Sequence, residues 1–215
     1  MKWSQEAWKR SEHIYEAILK LPFVTELAAG TLPNEKFVRY IGQDSLYIHE
    51  YCKVLAHIAS RLNDAEDAES FLGFASDGIA VEKNLHAMYQ KESTETMSPA
   101  CLFYTSLLKA QSYEDVAVET AAILPCFWIY KEVGDHIART YNPDNNPYSD
   151  WIKCYSDAAF ETSNTRCIAI CDKLAEHVSD DIRERMTQSF VNCCRMEWLF
   201  WQSAYDDTKW NKEIE

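Results

Sequence analysis

The chain has 215 residues, 47% of them hydrophobic, and its 34 acidic against 21 basic side chains give a net charge of −13. This length and composition predict one globular domain over residues 1–215 with a sizeable core, while so acidic a surface disfavours nucleic acid and anionic membranes as partners. Five glycines and six prolines are too few for a loop-rich β sandwich or a glycine-cradled nucleotide site.

Hydrophobic residues recur with the 3.6-residue period of α-helices along the whole chain, and no segment alternates like a β-strand. Pro22, Pro33 and Pro99 stand where helices begin, Gly30 stands where one ends, and the stretch 142–147 is rich in turn formers. No linker or repeat divides the chain, so we predict a single all-α domain of seven or eight helices. In chain order the predicted helices cover residues 4–21, 22–30, 33–62, 63–91, 98–111, 115–141, 148–177 (one bent helix or two short ones) and 180–207.

Pro125 lies in the middle of the predicted helix 115–141, directly before Cys126. A proline inside a helix removes a hydrogen bond and clashes with the preceding turn, at a cost of roughly 3 kcal/mol. We expect local unwinding that turns Cys126 out of regular packing and toward a cavity. A core cysteine beside a kink without function explains this stretch equally well.

Two carboxylates stand among apolar or aromatic neighbours. Asp44 shares one face of helix 33–62 with Tyr40, Tyr47 and Tyr51, and a carboxylate on such a face needs a partner. Glu197 is flanked at helical spacing by cysteines, Phe and Trp, so burial should raise its pKa toward the range of proton transfer. The alternatives are tyrosines that only fill the core and a glutamate at the edge of a solvent-facing stripe.

The eight cysteines indicate neither a disulfide framework nor a metal site. Cys167 and Cys171 share a helix face, but a structural zinc needs about four ligands and no clustered partners are visible. No apolar run approaches the roughly 20 residues of a membrane span, and MKWSQEAWKR lacks the apolar stretch of a signal peptide. We therefore expect a cytoplasmic protein without metal, whose thiols are mostly small core residues.

Three short motifs occur in a fixed order: GQDSLY at 42–47, LPCFWIY at 124–130 and EWLFW at 197–201. With the supporting segments CLFYTSLL at 101–108 and WIKCYSDAAF at 151–160, they resemble the thiaminase II (TenA) family over nearly the whole chain. Each motif alone is weak, but the ordered set is specific. The resemblance implies a haem-oxygenase-like helical fold and a homotetramer, with no cofactor.

The same resemblance implies hydrolysis of 4-amino-5-aminomethyl-2-methylpyrimidine to the hydroxymethylpyrimidine and ammonia, with thiamin as a second substrate. Carried over by motif, Cys126 is the nucleophile of the cysteine-bearing group, Glu197 is the acid that protonates the departing amine, and Tyr47 supports the thiol. Asp44 would hold the amino group and a ring nitrogen of the pyrimidine. The remaining substrate-binding residues implied by the resemblance are Tyr130, Tyr155, Phe200 and Tyr104.

Other classes of function are open at this point. A pyrimidine-binding or regulatory protein of the same family would need no nucleophile, so Cys126 together with Glu197 argues against it. Haem oxygenases share the fold, and His13 occupies the place of their haem ligand, but Gly134 stands alone where those enzymes have a glycine-rich helix. A di-iron oxygenase would require Glu-x-x-His pairs on two helices, and no matching set is found.

Overall fold

The computed structural model describes residues 1–89, 96–141, 145–211 and 213, with the side chains of 81, 82 and 84–89 left out. Within these ranges the chain forms nine α-helices, one 3₁₀ turn and no strand. The helices are α1 (Trp3–Ile18), α2 (Pro22–Ala29), α3 (Asn34–Arg61), α4 (Ala65–Tyr89), α5 (Pro99–Ala110), α6 (Val116–Thr140), α7 (Ser149–Ser156), α8 (Ala158–Ala175) and α9 (Asp180–Asp206), with the 3₁₀ turn Gln111–Tyr113 before α6.

The all-α prediction is confirmed, with one helix more than the predicted range. The segment 148–177 forms two helices because Asp157 adopts an extended conformation, and its side chain accepts a hydrogen bond from the Phe160 amide as the N-cap of α8. Residues 142–144 of the predicted turn and 90–91 of the predicted fourth helix lie outside the described ranges. No helix in the described part of the chain is long and apolar enough to cross a membrane.

Local signals set several helix ends as the sequence predicts. Ser98 accepts a hydrogen bond from the Cys101 amide and precedes Pro99 at the first position of α5. Gly30 closes α2 with a positive φ of 70°, a conformation that glycine adopts without strain. These bonds satisfy backbone groups that a helix end leaves without partners.

The expected break at Pro125 is wrong. Helix α6 continues from Val116 to Thr140 with Pro125 inside it. Most of α6 is buried, in contact with α9, α7 and α8, so tertiary packing offsets the local cost of the proline. The Tyr51 hydroxyl also donates to the carbonyl oxygen of Ile123, just before the proline, over 2.8 Å.

The close approach of α7 to α6 depends on Gly134. A Cβ atom at this position would lie 2.8 Å from the carbonyl carbon and oxygen of Tyr155. Beside this contact, the buried Lys131 amine lies 2.7 Å from Asp135 and donates to the Ser156 carbonyl over 3.4 Å. The glycine and the lysine together determine the position of α7 and therefore of Tyr155.

Candidate active site

The eight residues predicted for the site come from five helices that meet in the core. Asp44 and Tyr47 lie on α3, Tyr104 on α5, and Glu197 and Phe200 on α9. Helix α6 contributes Cys126 and Tyr130, and α7 contributes Tyr155.

Aromatic rings form two adjoining groups in this region. The ring of Tyr47 lies 4.8 Å from that of Tyr104 and 5.7 Å from that of Phe200, and the ring of Tyr130 lies 4.8 Å from that of Tyr155. Tyr40 connects the groups, because its ring meets Phe200 edge-on at 6.1 Å and its hydroxyl lies 3.2 Å from the Tyr130 hydroxyl. The structure therefore brings the predicted aromatic residues into one continuous cluster.

Glu197 is buried, with 1% of its surface exposed. The Tyr104 hydroxyl donates a hydrogen bond to Oε1 of Glu197 over 2.7 Å. Burial raises the pKa of Glu197 to about 8, the Tyr104 hydrogen bond lowers it, and the negative charge of Asp44 raises it further. Arg195 is exposed on the other side of α9, so the alternative that Glu197 lies at the edge of a solvent-facing stripe is wrong. At neutral pH the carboxyl group holds a proton that it can donate.

Cys126 and Cys154 are partly exposed, whereas the other six cysteines are buried. Burial of the Cys126 sulfur raises its pKa well above the usual thiol range, and the charge of Glu197 raises it further. The neighbouring hydroxyls of Tyr47 and Tyr51 act in the opposite direction and lower that pKa. Cys126 is therefore a neutral thiol in the free protein, electrostatically linked to the carboxyl group of α9.

The Tyr47 hydroxyl is buried beside Cys126, but no atom of the described residues lies in good hydrogen-bonding geometry to it. Burial raises its pKa well above the usual value, and the next largest contribution comes from Cys126. A buried polar group without a partner costs stability. Tyr47 and Cys126 lie near enough for each group to affect the pKa of the other.

Asp44 is 6% exposed, and its charge affects several ionisable groups of the cluster. Its charge raises the pKa of Glu197, of Cys126 and of the tyrosines Tyr130 and Tyr155. A cation bound against Asp44 would reverse this effect on all of them. The site is thus electrostatically suited to a positively charged ligand.

Sequence reasoning placed Tyr40 and Tyr51 on the face of α3 that carries Asp44 but gave them no role. Tyr40 is fully buried, and its hydroxyl lies 3.2 Å from the Tyr130 hydroxyl and accepts a hydrogen bond from Nε1 of Trp151 over 3.3 Å. Tyr51 stacks on Tyr47, with 5.4 Å between ring centroids. Their helical spacing from Asp44 and Tyr47 indicates that they belong to the same site, but their contacts with α6 and α7 can be seen only in the folded structure.

Two cavities adjoin the cluster. A cavity of about 250 Å³ lies beside Phe200 and is lined by polar groups that include Arg39, Gln43 and Lys209. A cavity of about 100 Å³ includes Cys126 and Tyr155 in its lining. His13 is exposed on α1 and belongs to neither cavity.

Among the side chains that the structure describes, no three of His, Cys, Asp or Glu gather so as to hold a metal ion. The cluster instead combines a thiol, two carboxyl groups and flat aromatic surfaces. This combination suits covalent chemistry on a flat, basic heterocycle.

Comparison with known proteins relates the chain to one family. A family model described as TENA/THI-4/PQQC family matches residues 8–207. The thiamine biosynthesis multifunctional protein ThiED of Corynebacterium efficiens is 32% identical over 94% of this chain, which spans 28% of that protein's length. The aminopyrimidine aminohydrolase of Halalkalibacterium halodurans is 29% identical to this chain, and the match covers 98% of this chain and 99% of that protein's length.

Solved structures give the same relationship at the level of the fold. A TenA homologue protein from P. horikoshii OT3 superposes with a TM-score of 0.86 at 25% identity, covering 96% of this chain and 99% of that one. The helical architecture is therefore shared over nearly the whole chain.

Proposed function

The chain belongs to the TENA/THI-4/PQQC family, and on this premise we propose that it hydrolyses 4-amino-5-aminomethyl-2-methylpyrimidine to the hydroxymethylpyrimidine and ammonia in thiamin salvage, with thiamin as a second substrate. A full-length relative named aminopyrimidine aminohydrolase supports the reaction class. The observation that carries the proposal is the partly exposed Cys126 beside Glu197, a buried carboxylic acid with a pKa of about 8.

The pyrimidine would bind through Asp44 and the aromatic cluster. An aminopyrimidine whose ring nitrogen is protonated offers two adjacent N–H donors, which a carboxylate accepts as a pair of charge-assisted hydrogen bonds. Tyr155 and Phe200 would stack on the ring, with Tyr130 against its edge. The protonated ring neutralises the charge of Asp44 and is at the same time more electrophilic.

Binding of this cation prepares Cys126 for attack. The charges of Glu197 and Asp44 raise the pKa of the thiol in the free protein, so a bound positive charge lowers it again. The thiol releases its proton to water as the sulfur adds to the ring carbon next to the one that bears the methylene group, and the ring nitrogen takes up the electron pair. The sulfur takes up a proton again when it later leaves the ring. The Tyr47 hydroxyl, which has no partner in good hydrogen-bonding geometry among the described residues, would stabilise the sulfur as it gains charge.

Glu197 would serve the second half of the reaction. The electron pair returns through the ring and expels the amine from the methylene carbon, and the amine takes the proton of Glu197 as it leaves. The Tyr104 hydrogen bond holds the carboxyl group in place. Water then adds to the methylene carbon, the sulfur leaves the ring, and the hydroxymethylpyrimidine and ammonia are the products.

Replacing the sulfur tests the proposal directly. Cys126→Ser should lower kcat for the aminomethylpyrimidine by at least a hundredfold, because a serine hydroxyl in this site is a much weaker nucleophile, and it should leave binding of the hydroxymethylpyrimidine nearly unchanged. Cys167→Ser, at a fully buried thiol of α8, is the matched control and should stay within a few-fold. Retention of most activity in Cys126→Ser would contradict the covalent mechanism.

We further propose that the protein acts as a homotetramer in the cytoplasm, without a cofactor. Exposed apolar side chains on α4 and α5, Leu72, Leu102 and Phe103, offer surface for contacts between copies. Light scattering of the purified chain should give four times the mass of 24.9 kDa, and a monomeric mass would contradict this assembly.

A further inference from the structure

Three buried polar groups are linked in a row behind the aromatic cluster, and the proposed reaction uses only the last of them. The Trp151 indole nitrogen Nε1 donates a hydrogen bond to the Tyr40 hydroxyl over 3.3 Å. The Tyr40 hydroxyl lies 3.2 Å from the Tyr130 hydroxyl. These side chains come from α7, α3 and α6, and each is at most 3% exposed. The row therefore joins three helices out of reach of bulk water.

The indole gives this row of hydrogen bonds a direction. An indole N–H can only donate, so the Tyr40 oxygen is the acceptor in its bond with Trp151. Burial raises the pKa of Tyr40 and of Tyr130 well above the usual tyrosine value, so both hydroxyls keep their protons at neutral pH. If Tyr130 also donated to Tyr40, the Tyr40 proton would have no acceptor among the described residues, and a buried donor without an acceptor is costly. Tyr40 therefore donates to the Tyr130 oxygen.

This direction leaves the Tyr130 proton available to a ligand. The Tyr130 oxygen accepts on the side of Tyr40, so its own O–H bond points elsewhere, and no group of the described residues accepts its proton. The Tyr130 ring lies 4.8 Å from that of Tyr155, which would stack on the pyrimidine. The charge of Asp44 also acts on Tyr130. The free O–H bond thus lies near the two groups that would hold the ring.

A pyrimidine bound as proposed offers an acceptor to this hydroxyl. Asp44 would take the amino group and the ring nitrogen beside it, which is protonated and donates. The second ring nitrogen lies one carbon further along the ring and keeps its lone pair. A hydroxyl that donates suits this nitrogen, whereas a hydroxyl that presented its oxygen would repel the lone pair.

We propose that Tyr40 is a positioning residue, which together with Trp151 orients the Tyr130 hydroxyl so that it donates to the second ring nitrogen of the bound pyrimidine. This inference rests on the proposed function and identifies two residues that act on the substrate only through Tyr130. Its consequence is a preference for rings that carry an acceptor at this position.

A pair of ligands that differ in one ring atom measures the effect of Tyr40. The first is 4-amino-5-hydroxymethyl-2-methylpyrimidine, and the second is 2-amino-3-hydroxymethyl-6-methylpyridine, in which a C–H group replaces the second ring nitrogen while the edge facing Asp44 is unchanged. In calorimetry, Tyr40→Phe should weaken binding of the pyrimidine by roughly fivefold, the value of one oriented hydrogen bond, and should leave binding of the pyridine within about twofold. A purely structural role of Tyr40 would weaken both ligands equally.

Two further variants test whether Tyr40 acts through Tyr130. Tyr130→Phe should weaken binding of the pyrimidine at least as much as Tyr40→Phe, and the double variant should bind it within about twofold of Tyr130→Phe alone, because residues that act as a unit are not additive. Trp151→Phe removes the donor that sets the direction, and its selective loss for the pyrimidine keeps the test valid if Tyr40→Phe does not fold. Tyr15→Phe is the matched control: its hydroxyl donates to the Glu132 carbonyl over 3.1 Å on another part of the molecule, so both affinities should stay at the wild-type values.

Equal losses for the pyrimidine and the pyridine in Tyr40→Phe, or losses that add in the double variant, would overturn the positioning role. Steady-state hydrolysis of the aminomethylpyrimidine by the wild type separates this inference from the proposed function. Binding without hydrolysis would refute the proposed function while the comparison of the two ligands still decides on Tyr40. Hydrolysis together with equal losses would refute the positioning role alone, and a wild-type protein that binds neither ligand would overturn both.

Discussion

Gly134→Ala tests how the backbone of α6 positions a substrate-binding residue. The new Cβ atom would lie 2.8 Å from the carbonyl carbon and oxygen of Tyr155 and 2.9 Å from its Cβ. Two of these three atoms belong to the backbone, so no side-chain rotation relieves the contact. Since carbon atoms pack at about 3.5–4.0 Å, α7 must move by roughly 1 Å.

The energetic effect has two opposing parts. Overpacking of a close contact costs about 1–3 kcal/mol, and alanine gains about 1 kcal/mol over glycine inside a helix. We therefore expect the free energy of unfolding to fall by about 1 kcal/mol. The catalytic effect should be larger, because displacing a group that orients the substrate by about 1 Å costs up to a hundredfold.

Denaturant unfolding and steady-state kinetics with the aminomethylpyrimidine measure both effects. Gly73→Ala on α4 is the matched control: nothing lies within 4 Å of its added Cβ, so stability should rise slightly and kcat/KM should stay at the wild-type value. Wild-type kcat/KM in Gly134→Ala would refute the reasoning that this contact fixes Tyr155 at the substrate. A more stable Gly134→Ala protein would refute the steric argument itself.

Three further predictions concern charge. The folded pKa of Glu197, about 8, lies above its ordinary value of 4.5, so the stability that its protonated form contributes is lost as pH rises from about 4.5 to 8. In unfolding experiments the free energy of unfolding of Glu197→Gln, relative to that of the wild type, should therefore rise by a few kcal/mol between pH 5 and 8; a difference that stays constant over this range would contradict the prediction. Asp44→Asn removes a charge that raises the pKa of Glu197, so the basic limb of the pH–rate profile of its residual activity should move to lower pH. A basic limb at the wild-type pH would show that the charge of Asp44 does not act on the group that titrates there. Arg61→Ala removes the arginine partner that lies 2.5 Å from the buried Glu119, and it should lower the free energy of unfolding by about 3 kcal/mol. Arg10→Ala, in a surface ion pair with Glu184, should lower it by at most about 1 kcal/mol, and equal losses in the two variants would refute the burial argument.

The sequence by itself determined the helices and most of their ends, because these depend on residues a few positions apart. The 3.6-residue period, Ser98 before Pro99 and the positive φ of Gly30 are local features whose energy is nearly the same in any surroundings. The same locality explains why the burial of Glu197 could be predicted. Its apolar neighbours lie one turn away on the same helix, and any fold that buries them buries Glu197 too.

Only the tertiary structure decided which groups meet, since those contacts join distant parts of the chain. The Tyr104 hydroxyl reaches Glu197 across 93 positions, and Gly134 admits the backbone of Tyr155 from another helix. The continuity of α6 through Pro125 had the same origin, because the packing that offsets the proline comes from helices that local rules cannot place. A helix forms from short-range hydrogen bonds, but a site forms where several helices are held together by the burial of their shared apolar surface.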